Sequence, residues 1–429
     1  MRILILGAGL MGVTSAFTLA REGHEVTVLE RCEGVGLETS FANGGQLCPS
    51  ETMPWLGPHT PGLIMGWVGR KDAPFRLRLS ADVNQWRWLA ASALNCTYKA
   101  QRAGMARNFS LACYSRDELG KLESLAQKEG RSLAYDAAHR GVLRIFHDET
   151  AYNHACEEAT ALIALGENLA FHDSDGCVAI EPSLQAVKGD IVGGIYAPDD
   201  QTADAHLFTR ALAEWADDEG VQFTFNISVG KMEYKAGEWR VYCGEDVFTG
   251  DAVVVCAGVF SPSVMRGFGR WLPVWPLKGY SVTVPVKENM DAPQVGITDE
   301  SRRLVVSRLG NRLRAAGLAE LTKRPDKDKG FDEARARVVL RGLRALFPRC
   351  DVAEQDVRFW HGYRPMTPDS SPLIGPVPGV PMMFINTGHG SLGWTLAMGS
   401  AALLRSHIQE TAPVIDPAGY GPARFSWRG

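Results

Sequence analysis

The glycine spacing near the start of the chain constrains the fold more than any other feature. An apolar run from Ile3 to Leu6 has no polar alternation, and reads as a strand buried on both faces of a parallel sheet. It leads directly into Gly7-Ala8-Gly9-Leu10-Met11-Gly12. In G-x-G-x-x-G the first glycine makes a tight turn, the second lets backbone approach a pyrophosphate, and the third lets the next helix lie close to the strand. That helix is expected from Met11 to about Glu22, stopped by Gly23 as a left-handed cap. A second apolar strand, Glu25 to Leu29, ends on Glu30 and Arg31. An acid about 20 residues past the glycines accepts hydrogen bonds from ribose hydroxyls. A pyrophosphate at the helix N-terminus would meet free N–H groups and the positive end of the dipole. Glycine-rich turns are common, and a strand–helix–strand unit without nucleotide is the rival reading. The order strand, glycines, helix, strand, acid is much rarer and implies a dinucleotide. Glu30, in place of a small residue followed by arginine, favours a free 2′-hydroxyl, hence FAD or NAD.

A chain of 429 residues exceeds one ordinary domain, so two are expected. The formal net charge of −4 gives no reason to expect nucleic acid as a partner. Nine cysteines without a C-x-x-C pair suit a reducing, cytoplasmic setting and supply neither a metal site nor a disulfide framework. The first strand begins at residue 3, so no leader peptide is expected, and no apolar run approaches the roughly 20 residues of a membrane helix.

The polar run ETSFANGGQ follows Glu30. Ser40, Asn43, Gly44, Gly45 and Gln46 are expected to contact the cofactor, against the alternative of a plain polar loop. Residues 49–79 are rich in proline, glycine and aromatics, among them Trp55, Trp67 and Phe75. A helix containing Trp86 and Trp88 is expected over Val83–Ala103, and a second, charged one from about Phe109 to Gly130. Such an aromatic, basic stretch either packs against its own domain or rests on a membrane surface. Around Glu233–Glu245 the alternation reads as a hairpin. The buried strand Ala252–Val255 opens a second glycine turn at Ala257 and Gly258, which with Val229 completes the expected nucleotide contacts. Parallel strand–helix signals thus recur in three separated blocks, with antiparallel signals between them. The expected fold is α/β plus α+β: a discontinuous Rossmann-like dinucleotide domain (1–80, 200–262 and 358–429) with an inserted, mainly antiparallel-sheet substrate domain (81–199 and 263–357).

The C-terminal block carries Arg364 between an expected strand and a proline-rich turn. An arginine fork matches a carboxylate in two parallel bonds, so Arg364 is a candidate substrate anchor. Gly388, His389, Gly390, Leu392 and Gly393 precede a small-residue helix from Thr395 to His407. That is a second helix N-terminus suited to a polarised carbonyl or anion, with His389 either a ring neighbour of the cofactor or a satisfied loop histidine.

The segments GAGLMG, ETSFANGGQ, PLKGYS (276–281), YRPMTPD and NTGHGSLGW together resemble the D-amino acid oxidase, glycine oxidase and sarcosine oxidase family of flavoproteins, and within it the bacterial D-amino acid dehydrogenases. The resemblance spans nearly the whole chain. It implies FAD at the first glycines and a sheet roofing the flavin. It further implies oxidative deamination of D-amino acids to 2-oxo acids by hydride transfer to flavin, with electrons passed to a quinone or other carrier. By position Arg364 matches the arginine that grips the substrate carboxylate, and Thr387–Gly393 the loop against the flavin ring. Lys278 and Tyr280 fall where the family approaches the flavin face, so they join Arg364 and His389 as candidate catalytic residues. Covalent-flavin relatives carry a cysteine just ahead of the region matching Met366–Asp369. None stands there, so the FAD is expected to be noncovalent. Departures at His361 and around Cys48–Thr52 leave the substrate open. The alternatives are an O2-using amino acid oxidase, a D-proline or D-hydroxyproline dehydrogenase, and a flavin-binding partner subunit without turnover. A dehydrogenase feeding a quinone would touch the inner membrane peripherally, through the Trp55–Trp88 stretch.

Overall fold

The computed structural model describes residues 1–67, 73–288, 290–350 and 353–425. Arg2–Leu6 lies near the middle of a six-stranded sheet, with Ala252–Val255 and then Met383–Thr387 on one side, and Glu25–Leu29 and Gln222–Thr224 on the other. These five strands are parallel; Leu373–Pro376 closes one edge antiparallel. The unbroken apolar character of Arg2–Leu6 now has its cause. Ile3 and Ile5 pack into one core with the helices Leu10–Ala20, Ala205–Asp218 and Gly393–Gln409. Leu4 and Leu6 pack into another, with Trp239 and Val241 of an antiparallel three-stranded meander on the opposite face. Both faces of the sheet are covered, as the parallel pattern requires.

The second sheet has nine strands. Arg358–Met366, Trp275–Pro285, Arg312–Leu321, Leu304–Leu309, Gly296–Asp299, Val142–Phe146, Gly193–Ala197 and Ala170–His172 follow one another across it, and Phe75–Leu77 adds to the end of Arg312–Leu321. Most pairs are antiparallel. The helix Glu333–Leu346 seals one face through Ala336, Val339, Leu340 and Leu343.

Several sequence expectations move. The meander adds Asp246–Gly250 to the expected hairpin. The helix starting at Val83 ends at Asn95, and one 31-residue helix runs from Tyr98 to Lys128. Thr97 separates them, because its Oγ1 accepts from Ala100 N at 3.2 Å and so caps a new helix. That long helix lies against Gly393–Gln409 and shares the core of the six-stranded sheet, although it was expected with the substrate domain. Conversely, Arg358–Met366 pairs along its length with Trp275–Pro285. It therefore belongs to the nine-stranded sheet, not to the dinucleotide part where the cut at 358 put it. Strand membership follows pairing partners remote in sequence, which local patterning does not encode.

Candidate active site

A cavity of about 1570 Å³ runs between the two sheets. Its floor is the glycine turn. Gly7 has φ +109°, and a Cβ on it would lie 2.8 Å from the Cys256 carbonyl oxygen. A Cβ on Gly12 would lie 1.8 Å from the Gly7 carbonyl oxygen, so only glycine lets helix and strand approach this closely. Gly12 and Ala8 are buried behind the turn and do not line the cavity, whereas Gly7, Gly9, Leu10 and Met11 do. A Cβ on Gly9 would meet nothing nearer than Ser40 Oγ at 3.9 Å, so the space above it is a cradle that a side chain would fill. Leu10–Ala20 begins without a side-chain bond from its N-cap residue and without an acidic residue in its first turn, so beyond Leu10 its first N–H groups are left for a ligand. Ser40 Oγ accepts from Leu10 N at 3.2 Å.

Glu30 lines the cavity, and its two carboxylate oxygens accept from Ala8 N (2.6 Å) and Cys32 N (2.8 Å). These bonds clamp the end of the second strand onto the glycine turn and hold the carboxylate at the cavity wall. Arg31 stacks over Phe260 at 3.7 Å and pairs with Glu38. Val229, Ala257 and Gly258 line the same end. Asn43, Gly44, Gly45 and Gln46 line the middle; Asn43 Oδ1 accepts from Gly45 N at 3.1 Å and Gly44 O from Ser307 Oγ at 2.7 Å. Gly388, His389, Gly390, Leu392 and Gly393 form the facing wall. His389 is buried, its Nε2 lies 2.9 Å from Ser400 Oγ, and burial pushes its pKa down to about 3. At neutral pH it is an uncharged imidazole, placed to hold structure or offer one hydrogen bond.

Arg364 borders the cavity from the nine-stranded sheet. Its Nη1 donates to the Leu318 carbonyl at 3.0 Å, and the guanidinium lies where a Cβ on Gly279 would stand, 2.4 Å from Nη1. Among the described residues no carboxylate forms an ion pair with it. Burial alone pulls its pKa down to about 10. A half-buried arginine withdrawn from bulk water without a counter-charge is costly, and an anion entering the cavity relieves that penalty.

Lys278 and Tyr280 are placed differently from the expectation. On Trp275–Pro285, Leu277 and Gly279 face the cavity, so alternation turns Lys278 to the other side. There Lys278 Nζ pairs with Asp328 Oδ2 at 2.8 Å and donates to the Gly330 carbonyl. Burial pushes the Asp328 carboxyl up, but hydrogen bonds from Lys278, Thr322 and Tyr363 outweigh it and bring it to about 2. Tyr280 touches the cavity's edge, yet its ring is 1% exposed in the core and its hydroxyl points to Glu320 at 3.4 Å.

Two features of the wall have no counterpart in the sequence reading. Trp55 donates Nε1–H to Ser391 Oγ at 2.9 Å and presents its ring 5.8 Å from the Arg364 guanidinium. It ties the proline-rich segment across the cavity. At the far end, Arg144 is 2.6 Å from Glu300 and 4.0 Å from Glu51. These charges come from three separate segments, so no local motif announces them. Among the described residues no cluster suits a metal ion, and all nine cysteines are free.

A glycine cradle with an open helix N-terminus, a long cavity and a clamped strand-end acid fit a flavin dinucleotide. Residues 2–406 match the family described as FAD dependent oxidoreductase, and the chain belongs to that family; its cofactor is FAD. More narrowly, the chain is 40% identical to the D-amino acid dehydrogenases of Paramagnetospirillum magneticum and Methylobacterium nodulans, over 99% of each chain. Its fold is that of the glycine oxidase from Geobacillus kaustophilus (TM-score 0.77, 20% identity, 99% of both chains covered). It is also that of the L-proline dehydrogenase from P. horikoshii (TM-score 0.75, 17% identity, 99% and 97% covered).

Proposed function

We propose that the protein oxidises D-amino acids to 2-oxo acids as a dehydrogenase with noncovalent FAD. The single observation that carries the substrate class is Arg364: a half-buried guanidinium facing the cavity, without a carboxylate of its own among the described residues. The family membership and the names of the relatives support the same reading. Bound FAD supplies an acceptor for the hydride on the substrate's Cα. Arg364 binds the carboxylate through a charge-assisted fork and fixes the Cα–H in one orientation. Positioning of this kind is worth roughly 7–11 kcal/mol of barrier. The substrate amine gives up its ammonium proton before hydride leaves; the imine then takes up water and releases ammonia and the 2-oxo acid. His389, neutral and tied to Ser400, shapes the wall without exchanging protons near pH 7. No side chain in this scheme acts as a nucleophile.

For the acceptor we infer a quinone, reached at a membrane surface. Of the tryptophans expected there, Trp88 is in the core and Trp55 is bonded to Ser391, while the side chain of Trp67 lies outside the described residues. Trp86 is exposed together with Leu79, Val83 and Leu94, an apolar group suited to the headgroup level. Among the described residues no helix is long and apolar enough to cross a membrane.

The test is anaerobic mixing of the yellow protein with D- and L-amino acids. Bleaching by D-enantiomers, followed by faster reoxidation with a quinone analogue than with O2, is expected. Rapid reoxidation by O2 with stoichiometric peroxide assigns an oxidase. Absence of bleaching by any amino acid overturns the reading. Acid precipitation is expected to leave the colour in the supernatant, and binding to anionic vesicles in low salt checks the membrane face.

A further inference from the structure

The cavity is far from uniform, and its two ends differ in distance from Arg364. The charged end, with Arg144, Glu300 and Arg303, adjoins the fourth to sixth strands of the sheet, counted from the Arg358–Met366 edge strand that carries Arg364. At about 4.8 Å per strand that is roughly 14–24 Å away, beyond the reach of a single amino acid held by Arg364. The other end adjoins Arg364 directly. Leu277 is its cross-strand partner, Leu321 pairs with Leu277, and Ala319 is two residues from Leu321 on the same strand face. Trp88 and Met366 join these three in one buried cluster, and all five line the cavity.

This end is mostly apolar, with the buried, unpartnered Ser92 Oγ one helical turn from Trp88 as a neutral polar atom. Trp88 Nε1–H is spent on the Met366 carbonyl at 2.9 Å, so the indole offers the cavity only its ring. Trp88, Leu277, Ala319, Leu321 and Met366 bring it no carboxylate, lysine or arginine, and Arg364 is the cross-strand neighbour of Leu277. Trp55, tethered to Ser391, closes the side nearest the guanidinium. A charged substrate side chain would lose its hydration here and find no partner, while each methylene placed in the lobe favours binding by about fourfold.

Resting on the amino-acid reading above, we infer that the preferred substrates carry a large apolar side chain, which occupies the lobe walled by Trp55, Trp88, Leu277, Ala319, Leu321 and Met366. Leucine-, methionine- and phenylalanine-like D-amino acids are selected over alanine, and strongly over aspartate, glutamate and lysine. Three added carbons correspond to about 50-fold in the rate constant of flavin reduction per unit substrate.

The experiment is anaerobic stopped-flow reduction of the holoenzyme by D-Leu, D-Met, D-Phe, D-Ala, D-Glu and D-Lys, repeated with Ala319→Phe and with Leu321→Ala, each first checked for bound FAD by its absorbance. The expected result is D-Leu, D-Met and D-Phe well ahead of D-Ala, with D-Glu and D-Lys slowest. Ala319→Phe fills the lobe and collapses the ratio of D-Leu, D-Met and D-Phe to D-Ala. If that variant does not hold FAD, Leu321→Ala decides, by shifting preference toward D-Phe over D-Leu. D-Ala, D-Glu or D-Lys reducing the flavin as fast as D-Leu overturns the inference and leaves the proposed function standing. Variants that change only reoxidation by a quinone analogue assign the lobe to the acceptor and overturn it too. Failure of every amino acid to reduce the flavin overturns the function and the inference with it.

Discussion

The glycine turn and the Arg364 wall recognise two parts of one chemistry by opposite means. The turn works through backbone. Gly7, Gly9 and Gly12 contribute the absence of side chains, and the helix behind them contributes the first-turn N–H groups beyond Leu10. All of it lies within one short segment. The Arg364 wall works through side chains brought from far apart: a guanidinium on Arg358–Met366, the space over Gly279, the carbonyl of Leu318 and the ring of Trp55. A backbone cradle fails when anything is added. A side-chain anchor fails when its one charged group is removed.

The largest effect separating the two is expected at Gly12. With a Cβ 1.8 Å from the Gly7 carbonyl oxygen, Gly12→Val pushes helix from strand, and a folded yellow protein is not expected in a thermal melt or a flavin spectrum. Gly9→Leu sharpens the contrast, since a Cβ there meets open space. It is expected to fold with an unchanged far-ultraviolet circular dichroism spectrum, yet to bind no FAD. A Gly9→Leu protein that retains stoichiometric flavin would break the assignment of the cradle.

Next comes Arg364→Ala. Removing one partner of a buried charge-assisted pair costs about 2–5 kcal/mol, or roughly 30- to 5000-fold in kcat/KM. The flavin spectrum should stay as it is. Arg364→Lys should restore little, because an ammonium cannot reproduce the planar fork. Near-parental kcat/KM in either variant would remove Arg364 from the site.

Lys278→Met is expected to act on stability and not on turnover. The change leaves Asp328 buried without its amine partner, and breaking such a pair costs about 3 kcal/mol, read from urea unfolding. The kcat/KM of the folded enzyme should remain near the parent's. A large loss of turnover with unchanged stability would instead return Lys278 to the catalytic group.

The smallest effect concerns pH. Burial pushes the Asp200 carboxyl up to about 8, against about 3.9 in an unfolded chain. Between those values the folded protein binds the extra proton, so the contribution of Asp200 to stability is greatest below about pH 4 and is lost as pH rises toward 8. Asp200→Asn keeps an acceptor for Ser50 Oγ without the titration. Its melting temperature should change less between pH 5 and 8 than the parent's, by a few degrees.

Much of the dinucleotide half was legible before any coordinates. The strand Glu25–Leu29, the strand Ala252–Val255 and the glycine turn stand where the pattern put them. Each depends on residues within a few positions of one another. The loop 43–46 and the segment 388–393 do line the cavity; glycines and short polar side chains, and a helix N-terminus after glycines, pointed to them, and the resemblance of whole motifs added to that. Lys278 and Tyr280 show the limit. Position in sequence placed both near the cofactor, but strand alternation sends one residue in and the next out, so an assignment that is wrong by one position reverses the face.

Sequence alone therefore determined the dinucleotide fold, because a tight turn and a doubly buried strand are local demands that only certain residues satisfy. Only the tertiary structure decided which side chains meet in the cavity. The pairing of Arg358–Met366 with Trp275–Pro285 sets Leu277 and Gly279 beside Arg364, and turns Lys278 toward Asp328. The packing of Trp55 against Ser391 closes the wall. These contacts join residues tens to hundreds of positions apart, and their register is chosen by the burial of the whole sheet rather than by any segment of it.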